Sequence, residues 1–123
     1  MMATGHIEVV WLHVGGHVEL VKVGVRKDPG TAAGCPDVGE LVGGEVEWIR
    51  PKFEATEFLG VTLGVNAELG LDDTARRNVI ASELADEHLV GDVVVWDVLL
   101  GRKVRPEVFA RLMKPRRQKR VRS

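Results

Sequence analysis

The sequence contains no tyrosine, only six other aromatic residues and a single cysteine. The absence of tyrosine removes one common acid–base group, and Cys35 alone cannot form an intrachain disulfide. No stretch approaches the roughly 18 consecutive apolar residues that a transmembrane helix needs. The N-terminus also lacks a basic region followed by an apolar run, so we expect no secretion signal. These absences predict a cytoplasmic protein that does not contact a membrane.

Motifs that identify common enzymes are also missing. The sequence has no Ser-His-Asp order, no Cys-x-x-Cys and no His-Glu-x-x-His. The loop at residues 30–34 precedes a predicted helix, but it lacks the Lys-Ser/Thr of a P-loop and the Gly-x-Gly-x-x-Gly of a dinucleotide site. The sequence therefore does not support an enzyme, and we predict no catalytic residue and no cofactor.

What the sequence does contain is 45% hydrophobic and 28% charged residues over 123 positions, which is typical of one globular domain. The net charge of −1 hides a strong asymmetry. From residue 102 onwards there are ten Lys or Arg and one acid, whereas the preceding part carries an excess of ten acids. We therefore predict a single acidic domain over residues 1–113 and a basic, disordered tail over residues 114–123.

Three interpretations of this tail stay open. It can bind nucleic acid phosphates, dock on an acidic surface of the same or another chain, or act as a solvated end. Exchange of tails between two acidic bodies would give a homodimer. The candidate nucleic-acid-binding residues are the six basic side chains of the tail: Lys114, Arg116, Arg117, Lys119, Arg120 and Arg122.

Hydrophobic periodicity predicts five strands and three short helices. Residues 7–14 and 18–25 form a hairpin around Gly15-Gly16, with a bulge at residues 20–21. Further strands are expected at residues 45–50, 56–65 and 92–98. Helices are expected at residues 36–42, from a cap at Asp72 or Asp73 to a segment end at Gly91, and at residues 106–113. We predict an α+β fold, a mostly antiparallel sheet with the helices on one face.

The strand at residues 56–65 has one apolar face that includes Leu59. Its opposite face carries Gly60, Thr62 and Gly64, which we name the glycine trough. Two glycines on one face let another group approach the backbone closely. A tightly packed helix is the favoured occupant, and a small ligand held by Thr62 is the alternative.

Two sets of side chains were considered for metal or thiol chemistry. His13 and His17 flank the first hairpin turn, and a three-residue loop would place them opposite each other. Glu19 and His6 are nearby, but no metal motif has this spacing, so we predict exposed histidines and no metal. Cys35 falls near a predicted helix start, where its thiol pKa would be lowered, yet no histidine pairs with it. We predict a structural cysteine.

One set of segments resembles a known family. In chain order these are LVGGEVE at residues 41–47, VNAELG at residues 65–70, Asn78, and VGDVVV at residues 90–95. This order is similar to an uncharacterised family of small proteins encoded by bacteriophages, plasmids and actinobacteria. The resemblance implies a mobile-element accessory protein inside a bacterial host. It also implies Asn66, Glu68 and Asn78 as candidate ligand-binding residues. The favoured interpretation of the two asparagines is structural, with Asn66 in a turn and Asn78 hydrogen-bonded to the backbone near a helix start.

These observations lead to one functional hypothesis and two alternatives. We predict a non-enzymatic binding protein whose partner is a host protein. The first alternative is a nucleic-acid-associated protein that binds through its basic tail. The second is a small-ligand binder that uses the glycine trough.

Overall fold

The computed structural model describes residues 5–26, 34–51, 59–68 and 75–113. These residues form a six-stranded sheet in which every neighbouring pair is antiparallel. The spatial order is β3-β2-β1-β6-β5-β4. The strands are β1 (His6–Leu12), β2 (Val18–Arg26), β3 (Cys35–Pro36), β4 (Val46–Ile49), β5 (Val61–Asn66) and β6 (Val93–Asp97). The helices are α1 (Gly39–Val42), α2 (Val79–Ala85) and α3 (Pro106–Met113).

The antiparallel α+β architecture is confirmed, but the predicted helix placement is wrong. Both faces of the central strands are covered, because β1 and β6 contribute to two separate apolar clusters. Helices α2 and α3 contribute to the larger cluster, with Val10, Leu12 and Val95. Helix α1 belongs instead to the smaller one, where Val42 packs with Val9. Near-continuous apolar runs such as Val93–Val95 are what two-sided burial requires.

The number and limits of the strands also differ from the prediction. The described residues form six strands rather than five, because Cys35–Pro36 pairs with the end of β2. Pro36 therefore belongs to β3, and helix α1 begins three residues later at Gly39. The register between β1 and β2 is unbroken, so the bulge predicted near Leu20 is absent from that pairing. Helix α3 has the predicted limits, Pro106–Met113.

Helix α2 starts later and ends earlier than predicted, because it spans only Val79–Ala85. Residues 75–77 are not helical, and Asn78 is the N-cap of α2. The proposed caps, Asp72 and Asp73, lie outside the described residues. Asn78 is 1% exposed, and its side-chain amide donates to the carbonyls of Leu12 and Gly91, each at 2.9 Å. Its Oδ1 accepts from the backbone of Ala81 at 3.1 Å. One side chain thus joins β1, α2 and the loop before β6.

The helices that the structure describes are short. The longest, α3, has eight residues, whereas about 20 are needed to cross a bilayer.

We expect Asn78→Ala to lower the free energy of unfolding by about 2–4 kcal/mol, because it removes the cap and leaves two carbonyls without their donor. Asn78→Asp keeps an acceptor for Ala81 but cannot donate when ionised, so it should be no more stable than Asn78→Ala. Urea unfolding followed by circular dichroism measures both. The matched control is Asn66→Ala, at a half-buried amide, which should lower the free energy of unfolding by less than Asn78→Ala does. If Asn78→Asp were as stable as wild type, only the hydrogen bond that caps α2 would contribute to stability, and the two bonds to distant carbonyls would not.

Candidate functional site

The glycine trough is occupied by side chains rather than by a helix. Strand β5 begins at Val61, so Gly60 lies in a turn with a φ of +84° instead of in the strand. The indole of Trp48 covers Gly64, where an added Cβ would lie 2.8 Å from the ring. The hydroxyl of Thr62 donates to the Ile49 carbonyl at 3.0 Å. Thr62 therefore stabilises the β4–β5 pair, and the expected helix in the trough is replaced by Trp48.

Leu59 also differs from its predicted role. It was expected on the core face, but its side chain is 70% exposed in the turn before β5.

Asn66 and Glu68 lie at the end of β5. The Asn66 amide donates to the carbonyl of Val42, the last residue of α1, at 3.1 Å. Its Oδ1 accepts from the backbone N–H of Glu68 at 2.8 Å, which forms a local turn. Asn66 also lines a groove of about 210 Å³ together with Glu47 and His88. Asn66 is thus bound to α1, whereas Asn78 is bound to β1 and the loop before β6, so each amide has its own backbone partners.

A wider groove lies between β2 and α1. Its volume is about 840 Å³, and it is lined by Lys22, Asp37 and Glu40 and by glycine backbone. Gly43 ends α1 in the left-handed conformation, as predicted for the Gly43-Gly44 pair. Two of the three charged side chains that line this groove are acidic, so it has no preference for an anion.

The six basic residues of the predicted tail, 114–123, lie outside the described residues. Cys35 lies in β3, not at the start of α1, and its backbone pairs with Arg26. The expected effect of the helix dipole on the Cys35 thiol is therefore not supported, because α1 begins four residues further along the chain.

The turn between β1 and β2 brings three ligand-type side chains together. The backbones of His13 and His17 are hydrogen-bonded at 2.9 Å, so the loop between them has the three residues that the sequence analysis considered. His13 Nε2 lies 3.1 Å from Glu19 Oε1, and His17 Nε2 lies 3.9 Å from the same oxygen. One donor atom from each of the three residues lies within 4.8 Å of the others. We name these three residues the hairpin cluster.

Neighbouring groups fix the position of His13 in this cluster. Its ring stacks on Trp11 with centroids 4.1 Å apart, and its Nδ1 lies 3.9 Å from Asp92. Asp92 in turn accepts from the Trp11 indole at 3.1 Å and from the backbone of Val14 at 2.8 Å. Asp92 is not predictable from the sequence as a neighbour of His13, because its contact with the hairpin depends on the pairing of β1 with β6.

A second feature lies at the opposite end of β6. Four large aliphatic side chains are exposed on two adjacent turns, and Val98 N–H donates to the Gly60 carbonyl at 2.9 Å to join these turns. Leu99 packs directly on Gly60. We name this surface the apolar tip; it consists of Leu59, Val98, Leu99 and Leu100.

A buried ion pair holds the apolar tip in place. Asp97 is fully buried, and its Oδ2 accepts from both the backbone N–H and the Nε of Arg105, at 3.0 and 2.7 Å. The same guanidinium donates to the Leu59 carbonyl at 2.8 Å. Arg105 therefore connects the two turns that form the apolar tip.

Electrostatics favour the charged form of this arginine. The hydrogen bond to Asp97 raises the pKa of Arg105 above its ordinary value, although burial acts in the opposite direction. The other oxygen of Asp97, Oδ1, is buried and has no hydrogen-bond donor among the described residues. The carboxylate consequently depends on Arg105 for compensation of its charge.

Sequence reasoning also missed the apolar tip. The segment at residues 92–98 was predicted as a strand through Val98, whereas β6 ends at Asp97. The available signal was the apolar pair Leu99-Leu100 followed directly by Gly101, because this pair continues beyond the strand into a turn.

We expect Arg105→Ala to lower the free energy of unfolding by about 3–5 kcal/mol, since it leaves the Asp97 carboxylate buried without a partner. The double variant Asp97→Asn/Arg105→Ala also removes the buried charge, so it should recover part of the free energy of unfolding lost in Arg105→Ala. Lys103→Ala, an exposed residue of the same loop, should change stability by less than about 0.5 kcal/mol. Urea denaturation compares the variants, and a double variant less stable than Arg105→Ala would contradict this account.

Comparisons with known proteins found no relative. A scan against protein-family models found no match, and searches of curated proteins and of solved structures found none either. The resemblance to the phage and plasmid family stays an expectation based on the quoted segments. The hairpin cluster and the apolar tip are defined by the geometry of this chain alone.

Proposed function

We propose that this protein is a non-enzymatic binding protein of the bacterial cytoplasm, and that its partner is a host protein docked on the apolar tip. The observation that carries the proposal is the exposure of four large aliphatic side chains on two joined turns, with Leu59 70% and Leu99 60% exposed. Contiguous exposed apolar surface on a globular domain is typical of interaction sites.

The rigidity of the apolar tip supports this role. Arg105 joins both turns through Asp97 and the Leu59 carbonyl, and the Trp96 indole donates to the Gly101 carbonyl at 3.0 Å. A surface that is already ordered loses less conformational entropy when a partner binds. This distinguishes the apolar tip from leucines on an unconstrained loop.

Charge around the apolar tip indicates the chemistry of the partner. Arg102 and Lys103 are both exposed and directly follow the turn that carries Leu99 and Leu100. An apolar centre with a basic rim complements an apolar surface with an acidic rim. The predicted basic tail would add to the same electrostatic attraction. The resemblance to mobile-element proteins is the reason for placing that partner in the host.

We expect the double variant Leu99→Ser/Leu100→Ser to weaken partner binding by more than about tenfold, since burial of each leucine contributes about 1.5–3 kcal/mol. The partner is first captured from nuclease-treated bacterial lysate, identified and purified, and its dissociation constant is then measured by calorimetry. The matched control is Leu20→Ser/Val79→Ser, which changes two exposed aliphatic residues outside the apolar tip and should bind like wild type.

Two outcomes would contradict the proposal. Equal affinity of wild type and the Leu99→Ser/Leu100→Ser variant would exclude the apolar tip as the docking surface. If capture of the partner is lost after nuclease treatment, and also after deletion of residues 114–123, the nucleic-acid alternative is favoured. That alternative predicts that binding weakens steeply as the salt concentration rises.

A further inference from the structure

We propose that the hairpin cluster, His13, His17 and Glu19, is a binding site for one Zn²⁺ ion. This inference is independent of the apolar tip, because the two features lie at opposite ends of β6. It revises the expectation of a hairpin without metal, in which the spacing matched no metal motif and both Glu19 and His6 were near enough to be the third ligand. The structure supplies Glu19 as that ligand and Asp92 as the group behind His13.

The spacing of the donor atoms fits a metal ion. Tetrahedral zinc holds imidazole nitrogens and carboxylate oxygens at about 2.0–2.2 Å, so its ligand atoms lie about 3.3 Å from one another. Glu19 Oε1 is already 3.1 Å from His13 Nε2 and 3.9 Å from His17 Nε2. Small rotations of the exposed His17 and Glu19 side chains are sufficient to close the site.

The hairpin places all three ligands on one face. Glu19 lies directly opposite Trp11 in the β1–β2 register, and His13 and His17 are each two residues closer to the turn. Since side chains alternate between faces along a strand, residues two apart share a face. The direct backbone hydrogen bond between His13 and His17 keeps the two imidazoles adjacent, with ring centroids 5.1 Å apart.

The environment of His13 is the second observation that points to a cation. Its ring has a carboxylate near each nitrogen, Glu19 at Nε2 and Asp92 at Nδ1. Two carboxylates beside one ring make the surroundings of His13 negative, which attracts a cation. A carboxylate behind a ligating histidine is also the usual partner that orients the ring in zinc sites.

The donor set selects the kind of metal. Two imidazoles and one carboxylate favour Zn²⁺ and similar first-row ions over Mg²⁺ and Ca²⁺, which prefer oxygen ligands only. Three protein ligands leave one of four tetrahedral positions for water. The exposure of the cluster, with the His17 side chain 69% and the His13 side chain 26% exposed, makes this position accessible from solvent.

The test is calorimetric titration of tag-free full-length protein with ZnCl₂. We expect one Zn²⁺ per chain, and a loss of more than about tenfold in affinity for His13→Ala, His17→Ala and Glu19→Gln. Asp92→Asn, which alters the group behind His13, should weaken binding by roughly 10–100-fold. The matched control, His6→Ala/His88→Ala, removes the other two exposed histidines and should bind within about twofold of wild type.

A second measurement does not depend on the folding of any variant. In wild-type protein, Zn²⁺ should shift the imidazole ¹⁵N signals of His13 and His17 and leave those of His6 and His88 in place. Co²⁺ should give the intense visible bands of a four-coordinate site. Unchanged His13 and His17 signals at saturating Zn²⁺, or equal losses of affinity in the control and in His17→Ala, would overturn the proposal.

Discussion

The pairing of β6 between β1 and β5 is the constraint on which the rest of the structure depends. Val93, Val94 and Val95 are fully buried, because each face of β6 contacts a different apolar cluster. A shift of this strand by one residue would exchange valine for valine, so its register depends on the contacts at its ends, where Asp92 accepts from Trp11 and Asp97 accepts from Arg105. The residues at its two ends are consequently fixed relative to the rest of the sheet.

Both candidate sites are built from an aspartate at one end of this strand. Asp92, just before β6, accepts hydrogen bonds from Trp11 and Val14 of the hairpin and lies 3.9 Å from the His13 ring. Asp97, the last residue of β6, binds Arg105 and thereby positions the apolar tip. In each case a rigid buried strand holds a charged group, and exposed turns carry the side chains that can meet a ligand or partner. This division is common in proteins, because loops tolerate functional residues that a core cannot accommodate.

The accuracy of the sequence-based predictions follows the range of the interactions involved. Local signals were sufficient for the Gly15-Gly16 hairpin, for Gly43 at the end of α1 and for α3, since each depends on residues close in the chain. The start of α2 was wrong, because Asn78 competes successfully with earlier acidic residues by also binding two distant carbonyls. The structural roles favoured for Asn66 and Asn78 are confirmed, because Asn66 closes a turn with Glu68 and Asn78 binds backbone at the start of α2. Thr62, a candidate ligand residue, also donates to a backbone carbonyl.

The sequence by itself determined the α+β class, the antiparallel hairpin and the separation of an acidic part from a basic end, because these follow from periodicity, turn residues and charge. Only the tertiary structure decided that helices cover both faces, that Trp48 covers Gly64, and that Asp92 and Asp97 organise the two sites. The physical reason is that each of these features joins residues many positions apart in the chain. Such contacts depend on strand order and register, which local patterns do not specify.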